Sequence, residues 1–73
     1  MNTTMVKVKG TCKWFNDTKG FGFLVCEGYP IDIFVHKQQL EKSGVKELKE
    51  GDKISCVVSQ GVKGHYATNI SKE

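Results

Sequence analysis

Residues 19–23 read Lys-Gly-Phe-Gly-Phe, and this alternation of large rings with glycines constrains the fold more than any other stretch. On a strand, side chains two residues apart share a face and successive ones oppose each other. Phe21 and Phe23 therefore stand side by side, while Gly20 and Gly22 keep the other positions slim. Leu24, Val25 and Cys26 follow, so Gly22, Leu24 and Cys26 can form an inner face that leaves the two phenylalanines on the outer one.

A second run, Asp32-Ile33-Phe34-Val35-His36, divides in the same way. Ile33 and Val35 are β-branched aliphatics on one face; Asp32, Phe34 and His36 lie on the other. Phenylalanine is among the most buried residue types, so the plain reading puts every ring in the core. That reading would bury Asp32 and His36 beside Phe34 and turn Ile33 and Val35 outward. An exposed aromatic platform is the better expectation. Rings of this kind next to lysines such as Lys19 suit single-stranded nucleic acid, because bases stack on the rings while ammonium groups follow the phosphates.

The remaining alternations supply the frame. Val6, Val8 and, past Gly10, Cys12 alternate with Lys7, Lys9, Thr11 and Lys13 in a half-buried strand. Trp14 and Phe15 break the pattern, which predicts a bulge or strand end where at least one ring, Trp14 foremost, reaches the platform face. Asn16 to Gly20 is a hairpin turn and Glu27 to Pro30 a second turn, so the first three strands form a meander. Residues 37–50 hold one helical candidate with Leu40, Val45 and Leu48 as apolar positions. Ser43-Gly44 limits it to a short turn of helix followed by a loop. Lys53 to Ser59 and His65 to Ser71 are strands around the Gly61-Val62-Lys63-Gly64 loop. Five short strands, glycine turns and no long helix predict an all-β, five-stranded antiparallel barrel.

A chain of 73 residues is one domain near the lower limit for a self-sufficient core. With 38% hydrophobic and 26% charged residues it has the balance of a globular protein rather than a disordered tail. No apolar run reaches membrane-spanning length, and Met1-Asn2-Thr3-Thr4 lacks a signal peptide's apolar stretch, so a cytoplasmic location is expected. Cys12, Cys26 and Cys56 are odd in number, without CxxC spacing, and alternation turns all three inward. They read as small core hydrophobes in a reducing compartment, with no metal site. The net charge of +3 favours a polyanion partner, and all 11 basic residues are lysine. Lysine is a point charge rather than a bidentate fork, which suits sequence-tolerant backbone contact.

Lys13-Trp14-Phe15-Asn16, Lys19-Gly20-Phe21-Gly22-Phe23 and Asp32-Ile33-Phe34-Val35-His36, in this order and spacing, resemble the bacterial cold-shock proteins. The likeness runs from about Lys9 to the C-terminus. It implies an oligonucleotide-binding barrel that binds single-stranded RNA and DNA and loosens RNA secondary structure. Carried onto matching positions, it implies a binding surface of Lys13, Trp14, Phe15, Lys19, Phe21, Phe23, Phe34 and His36. Asn16 and Asp32, inside the same motifs, join the candidate interface, as do Lys37, Lys63 and Tyr66. The chain departs from the family at Lys37, where another phenylalanine is usual, and at Val45, where an aromatic is common. Lys63 keeps a usual basic position, whereas Tyr66 replaces a non-aromatic polar residue.

Other functions fit less well. The RNA-recognition fold shares the Lys-Gly-Phe-Gly-Phe signature but needs two helices and places its other aromatic motif earlier. An enzyme would have to use Asp32 and His36, which four residues of strand hold about 13 Å apart, with cysteines facing the other way. A phosphate-binding nucleotide loop needs a third glycine and a following helix. A barrel that docks a peptide on its aromatic patch is the remaining alternative. The expected protein is a monomeric nucleic-acid binder with no catalytic residue, cofactor or small-molecule substrate.

Overall fold

Strand β1 spans Val8–Asn16 and β2 spans Phe21–Cys26, in a computed structural model that describes residues 7–73. The expectations for Met1 to Thr4 and for Val6 fall outside the described residues. β3 covers Asp32–His36, a short helix α1 covers Lys37–Lys42, and β4 (Lys53–Gly61) and β5 (Gly64–Lys72) complete the chain. The strands close into a barrel in the order β1-β2-β3-β5-β4.

Alternation drives this closure. Leu24, Ile33, Val35, Ile54, Ala67 and Ile70 are all buried on the inner faces of their strands, and each large aliphatic so placed contributes about 1.5–3 kcal/mol. Leu40 of α1, with Val45 and Leu48 from the following loop, is also buried in this core. The loop is tied to β1 by Cys12 N–H donating to the Asp52 carbonyl at 2.9 Å and Gly51 N–H to the Cys12 carbonyl at 2.8 Å.

Among the described residues the pairing is antiparallel except at one seam, where β3 meets β5 in parallel with Phe34 opposite Tyr66. The expected all-β, five-stranded barrel is present, and this one parallel pairing is the detail that the sequence pattern did not indicate. α1 and the loop carry the chain away from β3, and β4 runs antiparallel to β5, so β5 comes back in the direction of β3.

All three cysteines are buried and free. Burial pushes the Cys12 thiol up to about 11, helped by the Asp52 and Glu50 carboxylates. Cys26 and Cys56 lie with sulfurs 3.8 Å apart; their hydrogen bond lowers the pKa of Cys26 and raises that of Cys56.

Candidate nucleic-acid interface

The bulge expected after Cys12 is present, and it decides which ring reaches the outer face. Cys12 pairs with Leu24 but Trp14 pairs with Phe23, so one extra residue lies on β1 between them. Cys12 points inward, and strict alternation would send Trp14 inward too. The extra residue reverses the phase: Trp14 is 37% exposed, whereas Phe15 is half-buried against the core.

The glycines of the first motif have separate reasons. Gly22 sits opposite Phe15 on one side and Val35 on the other. A Cβ there would collide with the Trp14 carbonyl oxygen and lie 2.7 Å from the Phe15 Cα. Gly20 has φ of +80°, the left-handed region that favours glycine, and its N–H donates to the Asn16 carbonyl at 2.8 Å.

Trp14 starts a continuous set of rings. Its centroid lies 5.7 Å from that of Phe21 and 5.5 Å from that of Phe23. Phe34 is 5.8 Å from Phe21 and 5.9 Å from Phe23, and His36 follows at 6.3 Å from Phe34. Most of these pairs are tilted or edge-to-face, the favoured aromatic geometry, and the rings cover one another's edges. Phe21, Phe23 and Phe34 are consequently half-buried rather than fully exposed. Ile33 and Val35 are completely buried and Asp32 and His36 exposed, the division that alternation predicts. Phe15 makes no ring contact within this set, because its side chain turns to the core.

The polar candidates have several partners. The Lys13 ammonium is 2.9 Å from the Asp32 carboxylate. Asn16 accepts the Lys19 N–H at 2.9 Å, so its side chain holds the turn. Lys37 begins α1, its N–H donating to the Gly20 carbonyl at 2.9 Å and its ammonium 3.8 Å from Asp17. Lys19 is exposed in the β1–β2 turn. Lys19 and Lys37 thus mark the end of the rings where Phe21 pairs with His36, and exposed Lys63 lies at the tip of the β4–β5 hairpin.

Some features escaped the sequence reading. His36 Nδ1 accepts the Gln38 N–H at 3.0 Å, so the imidazole caps α1 as well as extending the ring set. Val45, at which the family commonly carries an aromatic, packs into the core with Leu40 and Leu48 and stands apart from the ring set. Beyond Phe34 the surface dips into a groove of about 710 Å³ whose lining includes Ile31, Val62, Lys63, His65 and Tyr66. Ile31 is 48% exposed and Val62 fully so. An aliphatic residue between two hairpin glycines was the available signal for Val62.

Comparison with known proteins fits this geometry. The pattern of the 'Cold-shock' DNA-binding domain matches residues 8–73. The chain belongs to the cold-shock domain family. Among relatives of this cold-shock domain, cold shock protein CspV of Vibrio cholerae is 47% identical over 64 residues, 88% of this chain and 91% of that protein. Cold shock-like protein CspE of Escherichia coli is 42% identical over 66 residues, covering 90% and 96%. Cold shock protein CapA of Pseudomonas fragi is 52% identical over 58 residues, covering 80% and 91%. The cold-shock domain is a nucleic-acid-binding family, and among the described residues no helix is long and apolar enough to cross a membrane.

Proposed function

We propose that this cold-shock domain binds single-stranded RNA or DNA, stacking bases on Trp14, Phe21, Phe23, Phe34 and His36 while Lys19, Lys37 and Lys63 follow the phosphates. The observation that carries the reading is the contiguous ring set on the outer face of β1, β2 and β3, directly over a sheet whose inner residues are fully buried. A nucleobase offers a π-face to any such ring, each stack being worth about 1–3 kcal/mol. In duplex nucleic acid those faces are already occupied by neighbouring bases. An isolated strand bound this way is withheld from base pairing, which is the basis of an RNA chaperone action without a catalytic step. In this reading the protein works as a cytoplasmic monomer and needs no cofactor or metal.

Titration with a short pyrimidine oligonucleotide, followed by Trp14 fluorescence, tests the reading. Stacking quenches the indole, and duplex DNA of the same sequence binds far more weakly. An unchanged signal up to high micromolar single strand, or equal affinity for strand and duplex, rejects it. A peptide-docking barrel would give the first of those results.

A further inference from the structure

Phe34 and Tyr66 are direct partners across the parallel seam, and both point outward, since their neighbours Ile33, Val35 and Ala67 are fully buried. Two outward aromatics in register on adjacent strands ordinarily touch. Their rings do not form a stacked or edge-to-face pair: the ring pairs of the platform run from Trp14 to Phe34 and His36, and Tyr66 is in none of them. Its ring lies over the hairpin instead, where a Cβ on Gly61 would be 3.1 Å from Tyr66 Cε1. Both rings line the groove described above.

We propose that the space between Phe34 and Tyr66 is a further base subsite, which takes one nucleobase of a strand continuing off the platform; this rests on the single-strand reading. The groove is continuous with the stacking face, because Phe23, Phe34 and His36 line its near side. Its far side offers the Tyr66 ring with the exposed apolar side chain of Val62, and Lys63 stands at its rim with a charge for the adjoining phosphate. The one carboxylate in the lining, Asp32, is neutralised by Lys13 at 2.9 Å. Tyr66 thereby adds a π-face to the β4–β5 hairpin beside the Lys63 charge, and the footprint is longer than the platform alone defines.

The test compares wild type, Tyr66→Leu and Tyr66→Phe with oligothymidylates lengthened one nucleotide at a time, read by Trp14 quenching. Leucine keeps bulk over Gly61 and removes only the π-face. The expected result is that Tyr66→Leu diverges from wild type only once the strand is long enough to leave the platform. It then falls behind by about 5–150-fold, the equivalent of one stack, while Tyr66→Phe follows wild type throughout. Equal affinity of Tyr66→Leu and wild type at every length overturns the subsite and leaves the platform reading standing. So does a loss of equal size at every length, which assigns the ring a supporting role. No quenching of wild type at any length removes both readings. Should the leucine variant unfold, photocrosslinking wild type to strands carrying 5-iodouracil at successive positions decides. Crosslinking to Tyr66 from a single position near one strand end supports the subsite; crosslinking that misses the hairpin overturns it.

Discussion

The imidazole of His36 touches Phe34 with its ring and holds the Gln38 N–H with Nδ1, so substitutions at this position separate stacking from helix capping. His36→Phe keeps the ring and loses the cap. It is expected to preserve oligonucleotide affinity while lowering stability by about 0.5–2 kcal/mol. His36→Asn retains a capping acceptor and loses the ring, giving weaker binding at little cost in stability. Thermal denaturation together with Trp14 titration reads both effects, and a phenylalanine variant that folds but fails to bind would show that the imidazole itself contacts the strand. For the half-buried rings, Phe21→Ala, Phe23→Ala and Phe34→Ala should each weaken binding by about 1–3 kcal/mol. Their stability cost should stay below that of Ile33→Ala, where truncating a buried side chain removes about 2–5 kcal/mol and leaves affinity per folded molecule unchanged. The reverse ranking would move the rings into the core.

At the next scale, α1 brings Lys37 to the edge of the ring set, with Asp17 3.8 Å from its ammonium. A partly matched, screened surface charge returns little, less than the 1–3 kcal/mol or so of a base stack. Lys37→Phe is therefore predicted to tighten binding to a pyrimidine-rich strand at moderate salt. It should also make the log–log salt slope shallower by about 0.7, the single-strand value per phosphate contact. Affinities at several salt concentrations for both proteins measure this, and weaker binding by a folded phenylalanine variant would show that the lysine holds the strand. The loop before β4 carries a pH dependence of stability. Asp52 accepts the Lys49 N–H at 2.9 Å and faces the Lys72 ammonium at 3.1 Å. These contacts, the backbone hydrogen bond first, hold its carboxyl below the usual carboxylate range. A carboxyl lowered on folding contributes stability that is fully present above its unfolded pKa and is lost as pH falls through the folded value. Acid denaturation of Asp52→Asn should lack that part of the transition, and an unchanged acid limb would remove Asp52 from the explanation. Elements and their faces were legible before the structure because Asp32 and His36 label the wet side of β3, and period-two alternation carries that label to β2. The bulge was visible as a break at Trp14-Phe15 with Trp14 expected outward, and the count of residues against β2 supplies the reason. The His36 cap and the lean of Tyr66 depend on side-chain geometry across elements, which no local pattern encodes.

For the whole molecule, the barrel consists of the β1–β2–β3 meander and the β4–β5 hairpin, joined along two lines. Among the described residues the β1–β4 register runs from Val8 opposite Cys56 to Thr11 opposite Lys53, whereas β3 and β5 share one backbone-paired position, Phe34–Tyr66. Backbone openings take the least protected route, so the β3–β5 junction is predicted to open before the rest of the barrel. Native-state hydrogen exchange should show amides around Phe34 and Tyr66 opening at lower free energy than those of Leu24 or Ile54; uniform protection would contradict this. The aromatic face lies on one bank of that junction and the hairpin on the other. In the proposed binding mode a nucleic-acid strand spanning both would act as a clamp, and exchange near Phe34 and Tyr66 should slow on binding more than exchange in β1 and β2.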